Sequence, residues 1–180
     1  YMQTVKEKEK KAYEVMKAEF GYKNLMAAPH LTKIVVASGT GRLMKADKNK
    51  NTFIADRIAK ITGQKPSVRG AKQSISSFKI RTGDLVGLMT TLRGKYMYDF
   101  ADKLINIAIP RTKDFRGLDK KSVDSIGNMT IGIKEHTIFP ETGDEEIRDV
   151  FGLAITFVTT AKTKKEATRY FELIGIPFKS

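Results

Sequence analysis

Residues 63–94 read GQKPSVRGAKQSISSFKIRTGDLVGLMTTLRG, and the way this stretch folds decides how the rest of the chain is arranged around it. Lys65, Arg69, Lys72, Lys79, Arg81 and Arg93, with Lys95 just beyond, stand against one acid, Asp84. Leu85 to Leu92 is an apolar run ending in Thr90, Thr91 and Arg93, with the composition of a strand. Ile75, Phe78 and Ile80 alternate loosely with polar neighbours, and Thr82-Gly83-Asp84 separates them from Leu85. The pattern predicts a hairpin with a glycine-containing turn. An exposed loop over 66–74 precedes it and becomes a strand by about Ile75. With no His or Cys and a single carboxylate, the stretch is poorly equipped for catalysis and well equipped to meet phosphate.

Before this stretch, residues 4–20 read as an amphipathic helix with Val5, Ala12, Tyr13, Met16 and Phe20 on one face and Gly21 as its stop. Its lysines and glutamates interleave, which describes a solvated face with helical ion pairs. Leu31 to Ala37 has a strand's β-branched content. The Gly39-Thr40-Gly41 that follows is a two-glycine turn, because the third glycine of a dinucleotide-binding fingerprint would fall at Met44. A helix over 51–62 turns Phe53, Ile54, Ile58 and Ile61 inward.

After it, Met97, Phe100, Ala101, Leu104, Ile105 and Ala108 follow helical spacing over 95–108, ended by Pro110. Residues 110–117, PRTKDFRG, form a second basic loop, with Arg111, Lys113 and Arg116 around Asp114 and Phe115. Met129–Lys134 and Thr137–Phe139 read as a strand pair, and 153–159 as another strand. Acids collect between them, as Glu135, Glu141, Asp144, Glu145, Glu146 and Asp149 against Arg148. Thr163 and Glu166 make a capping box that opens a last helix with Ala167, Tyr170, Phe171 and Ile174 inward. Helices and hairpins without regular crossovers predict one α+β domain over 1–180, with a mainly antiparallel sheet, helices packed on one face and basic loops projecting.

Lys and Arg number 33 and Asp and Glu 20 in 180 residues, a net charge of +13 and a pI near 9.8. Such an excess repels itself unless a polyanion neutralises it, and nucleic acid fits better than a membrane surface. No apolar run approaches the roughly 20 residues that span a bilayer, and the charged opening residues predict no secretory segment. The absence of Cys excludes disulfides and thiolate metal sites. His30 and His136 lie in no ligand-spaced cluster, Ser74, Ser76 and Ser77 lack a nucleophile-elbow context, and Tyr96 stands where a phosphate-binding loop needs Ser or Thr. No catalytic group and no cofactor is expected. Phe78 and Phe115 are the aromatics best placed to stack on unpaired bases.

Several runs carry a more specific signal. Gly63-Gln64-Lys65-Pro66, Ala71-Lys72-Gln73-Ser74-Ile75, Phe78 to Gly83, and Thr91-Leu92-Arg93-Gly94 resemble, in order, the bacterial-type ribosomal protein five of the large subunit. So do Pro110-Arg111, Asp114 to Gly117, Gly127-Asn128, Ile138 to Glu141, Thr159-Thr160-Ala161 and Pro177-Phe178, so the resemblance covers nearly the whole chain. It implies a cytoplasmic, ribosome-bound structural protein, without activity or cofactor, that binds 5S rRNA in the central protuberance. The implied partners are 5S rRNA, 23S-type rRNA, peptidyl-site tRNA, neighbouring 5S-binding proteins, and small-subunit protein thirteen across an intersubunit bridge.

Position by position, the resemblance implies rRNA contacts at Lys33, Ser38, Gln64, Lys65, Thr91 and Arg93. It implies tRNA contacts at Arg69, Lys72, Ser74, Lys79 and Arg81, on a mobile arm. Three positions depart from the family pattern. Ala37 replaces an Asn, so one rRNA hydrogen bond is either missing or made by Ser38; Met89 replaces a basic residue, and Leu85 a Pro. A free basic adaptor that binds proteins through residues 135–149 is the alternative.

Overall fold

Local signals place most of the elements in the computed structural model, which describes residues 3–41, 50–113, 115–143 and 150–179. Thr4 caps helix α1 (Val5–Phe20), its side chain accepting from the Glu7 amide while the Glu7 carboxylate accepts from the Thr4 amide, and Gly21 ends it. Strand β1 (Leu31–Gly39) follows, then helix α2 (Lys50–Thr62), strands β2 (Ser67–Gly70) and β3 (Leu85–Leu92), and helix α3 (Gly94–Lys103). A π-helical turn, Leu104–Ala108, extends α3 and keeps Leu104, Ile105 and Ala108 buried. Strands β4 (Met129–Ile133) and β5 (Leu153–Thr159) precede helix α4 (Lys164–Leu173), which has the expected Thr163–Glu166 capping box. The five strands form one antiparallel sheet in the order β2-β3-β1-β5-β4, so the class is α+β as the sequence predicts.

Three readings need correction. Residues 67–70 are a strand rather than a loop, and the extended pairing near Ile75 shrinks to a single bridge between Ile75 and Ile80. His136–Ile138 is a 3-10 turn instead of a strand partner, because the His136 and Phe139 amides bond Phe151 and His136 carbonyls. Phe20, at the last turn of α1, is exposed and stacks on Tyr22 at 6.0 Å. Met44, Asp114 and the acids Asp144, Glu145, Glu146 and Asp149, with Arg148, lie outside the described residues.

The chain groups into two compact units. The first comprises residues 1–34, 93–131 and 155–180. Its core joins Val5 and Met16 of α1 to Met97, Phe100 and Leu104, and Phe157 of β5 meets Phe171 of α4 edge-on at 6.1 Å. One carboxylate organises its polar interior. Glu9 accepts from the Leu31 amide at 2.9 Å, from the Tyr98 hydroxyl at 2.6 Å and from the Tyr170 hydroxyl at 2.5 Å, tying α1 to β1, α3 and α4. Asp102 accepts from the Val5 amide at 2.7 Å, satisfying a first-turn donor that α1 cannot pair itself. Burial and the Glu9 carboxylate push the Tyr98 and Tyr170 hydroxyls well above their ordinary range.

The second unit comprises residues 35–92 and 132–154. Ile54, Ile58 and Ile61 form one buried stripe of α2, which packs on β3 and on the 3-10 turn Pro140–Thr142. In β3, Leu88, Thr90 and Leu92 are buried while Gly87, Met89 and Thr91 are only half-buried, the period of two expected when one face is covered. His136 is buried and stacks on Phe151 at 4.1 Å, so it is a core residue of this unit.

Candidate nucleic-acid interface

Pairing of β2 with β3 builds the surface that carries most of the candidate residues. Ser67 stands opposite Met89, Val68 opposite Leu88 and Arg69 opposite Gly87. Residues opposite one another share a face, so Ser67 and Arg69 lie on the side of Gly87, Met89 and Thr91, away from the buried Leu88, Thr90 and Leu92. All four residues of β2 are exposed. A Cβ on Gly87 would meet the Ser38 carbonyl oxygen at 3.1 Å, so the lack of a side chain there lets β1 and β3 approach closely.

Thr62 sets up the entry to this hairpin. Its hydroxyl donates to the Ile58 carbonyl at 2.7 Å and accepts from the Gln64 amide, closing α2 and turning the chain into Gln64 and Lys65. The Gln64 side-chain amide then donates to the Thr91 carbonyl at 3.4 Å. Two residues that are far apart in sequence are thereby brought together, with Lys65 exposed beside them. Ser67 adds a bond that the sequence does not announce, its hydroxyl donating to the Met89 carbonyl at 2.9 Å. A four-residue edge strand shows no alternation of burial that could have revealed it.

Residues 71–84 project between the two strands as an ordered arm with its own backbone ladder. The Ala71 amide donates to Asp84 at 2.8 Å and the Gly83 amide to Ala71 at 2.9 Å, which closes the neck. Gly83 has φ +92°, the left-handed turn position that the sequence pattern assigns to a glycine. Ser74 bridges the arm midway, accepting from the Thr82 amide at 2.9 Å with its oxygen 3.0 Å from the Thr82 hydroxyl. Beyond the Ile75–Ile80 bridge, a 3-10 turn over Ser76–Phe78 forms the tip, with Phe78 63% exposed. Lys72, Lys79 and Arg81 are at the surface along it. Asp84 gains a structural task, since its carboxylate accepts from the Arg81 amide at 2.7 Å.

The remaining candidates lie elsewhere. Ser38 is 4% exposed and donates its hydroxyl to the Gly152 carbonyl at 2.9 Å. That hydroxyl donates inside the second unit. Lys33 and Arg93 belong to the first unit, half-buried on β1 and exposed at the start of α3 respectively. Phe115 is half-buried in its loop. Among the described residues no group of three His, Asp or Glu could hold a metal ion, and no helix is long and apolar enough to cross a membrane.

An exposed strand pair rich in cations and amide donors, whose one carboxylate serves its own turn, defines a binding scaffold. Comparison with known proteins says which. The family model described as ribosomal protein L5 matches residues 24–81, and the model of the same ribosomal family's C-terminus matches 85–178. The large ribosomal subunit protein uL5 of Heliobacterium modesticaldum is 48% identical over 92% of this chain and 91% of its own length. Those of Thermotoga maritima, at 49% over 95% and 92%, and Clostridium botulinum, at 47% over 94% and 94%, are similar. The chain belongs to the ribosomal protein L5 family of the large subunit, whose members are structural proteins and not enzymes.

Proposed function

We propose that this protein binds 5S rRNA in the central protuberance of the large subunit, within cytoplasmic ribosomes, through the outward side of the β2–β3 hairpin. Family membership supports the partner class, and the bond from Gln64 to Thr91 carries the choice of surface. That bond groups Gln64, Lys65 and Thr91 beside Ser67 and Arg69 with no carboxylate among them. Lysine and arginine supply phosphate affinity, while the polar side chains supply register. Arg93 and Lys33, the other rRNA contacts that the resemblance implies, belong to the first unit. Ser38 is left out, being buried.

The arm reads as a separate reach toward peptidyl-site tRNA. Lys72, Lys79 and Arg81 would meet phosphates and Phe78 a base face, while Ser74 holds the arm's shape. The other expected partners are 23S-type rRNA, neighbouring 5S-binding proteins and small-subunit protein thirteen. Titration of 5S rRNA across a range of salt tests the reading. Affinity should fall steeply with salt yet persist over competing nonspecific RNA. Thr91→Ala or Gln64→Ala should weaken it by on the order of 1–3 kcal/mol, whereas Lys72→Ala and Lys79→Ala should leave it nearly intact. Equal losses from both sets would refute the division between hairpin and arm.

A further inference from the structure

The two limbs of the arm are joined in two different ways. At the neck the Ala71 amide donates to the Asp84 carbonyl and the Gly83 amide to the Ala71 carbonyl. At the tip Ile75 and Ile80 exchange both backbone bonds, at 2.9 and 3.2 Å, around a 3-10 turn. Among the described residues no backbone bond crosses between 72–74 and 81–82, in the middle of the arm. The amides of Arg81 and Thr82 donate there to side chains instead, to the Asp84 carboxylate at 2.7 Å and the Ser74 hydroxyl oxygen at 2.9 Å. Ser74 spans the two limbs, while Asp84 closes the turn within its own limb, where its amide also donates to the Arg81 carbonyl. Lys79 supplies a second observation. It ends the tip's turn at φ +51°, the only non-glycine positive φ among the described residues. A lysine keeps that conformation where its surroundings impose it, and the Ile75–Ile80 bridge imposes it here. The tip is a preformed unit, and its direction depends on the side chains below it.

We propose that Ser74 and Asp84 are positioning residues that latch a hinge in the middle of the arm and hold its tip, with Phe78 and Lys79, at one angle. Ser74 acts through the arm's shape and not as a contact residue. Asp84 acts through its acceptor oxygen rather than its charge, which accounts for the one acid in residues 63–94, a stretch otherwise suited to phosphate. Neither residue is buried, so the latch serves the arm and not the core. A partner then meets a tip already oriented, and the entropy of ordering it is lost on folding rather than on binding. The inference rests on the reading of the arm as a tRNA contact for its partner, but not for the latch itself.

The test reads amide exchange residue by residue in the full chain, and binding of deacylated tRNA to large subunits assembled with each variant. The Arg81 and Thr82 amides should be protected in the wild-type protein although both residues are exposed. Ser74→Ala should speed exchange at Thr82, and Asp84→Ala at Arg81, each by about tenfold, the equivalent of one lost hydrogen bond. The Ala71 and Gly83 amides at the neck should keep their protection. Both variants should retain the thermal midpoint and 5S rRNA affinity of the wild type and bind tRNA more weakly. Asp84→Asn keeps an acceptor oxygen without the charge, and should keep both the Arg81 protection and the tRNA affinity. Free exchange of Arg81 and Thr82 in the wild type overturns the proposal, as does an Asp84→Asn variant that behaves like Asp84→Ala. So do alanine variants with wild-type tRNA binding where Lys79→Ala weakens it. Normal tRNA binding by Lys79→Ala overturns the tRNA reading instead, and exchange at Arg81 and Thr82 then decides the latch by itself.

Discussion

The two units treat buried polar groups differently. In the first, Thr159 donates to the Gly127 carbonyl at 2.7 Å and accepts from the Ala161 amide at 3.2 Å, while Tyr98 and Tyr170 share Glu9. In the second, Thr62 and Thr142 bond carbonyls, but the hydroxyls of Thr40 and Thr90 are buried with no partner among the described residues. Ser38 and His136 are bonded inside it as well, and further polar bonds lie on the exposed hairpin and arm. The first unit uses polar bonds to hold helices to strands. The second leaves two buried hydroxyls without a partner among the described residues and also uses polar bonds to shape a surface.

The largest test of that contrast is a core truncation. Phe171→Ala should cost the first unit about 3–5 kcal/mol, since Phe171 is fully buried against Phe157 and Tyr170. Denaturant unfolding followed by tyrosine fluorescence would read it, because all six tyrosines fall within the first unit's residues. A matched pair of threonine substitutions sharpens the comparison further. Thr159→Val should cost roughly 1–3 kcal/mol by leaving the Gly127 carbonyl and the Ala161 amide unpaired. Thr90→Val removes an unpaired hydroxyl at constant shape and should be neutral, or stabilise by up to about 1 kcal/mol. Similar losses from the two would erase the distinction between the units.

High pH should act on the first unit. Tyr22, Tyr98 and Tyr170 hold their protons above the ordinary tyrosine value of 10.0, through burial and their carboxylate partners. Above that value the folded state keeps protons that the unfolded chain releases, so stability falls as pH rises. The contribution is complete below pH 10 and is lost as pH climbs through the raised values. Alkaline titration of thermal stability should show this decline, and Tyr98→Phe should make it shallower. The smallest effect on folding belongs to the arm. Lys72→Ala and Lys79→Ala, both at exposed positions, should change stability by no more than about 0.5 kcal/mol in denaturant unfolding. A large loss of stability would mean that these side chains brace the fold.

Much of this architecture is legible residue by residue. The capping boxes at Thr4 and Thr163, the inward stripe from Met97 to Ala108 and the inward residues of the last helix are all found where helical spacing predicts them. Strand β2 is not legible, because all four of its residues are exposed and its extended form comes from pairing with β3. The same pairing turns a loop-like run into an arm with its own hydrogen-bonded neck. Ser38 enters as an rRNA contact only through the resemblance, and only the folded strand shows its hydroxyl bonded inward to Gly152.

The class of fold, the helices and their ends, the basic balance and the family all follow from the chain of residues, since capping, periodicity and charge are set by neighbours a few positions apart. Other features wait for the folded molecule: that Gln64 meets Thr91, that Ser38 is buried, and that residues 71–84 form an arm between paired strands. Each of those depends on strand register or on the approach of distant elements. Register and approach are set by the burial of whole faces, which no short window of residues contains.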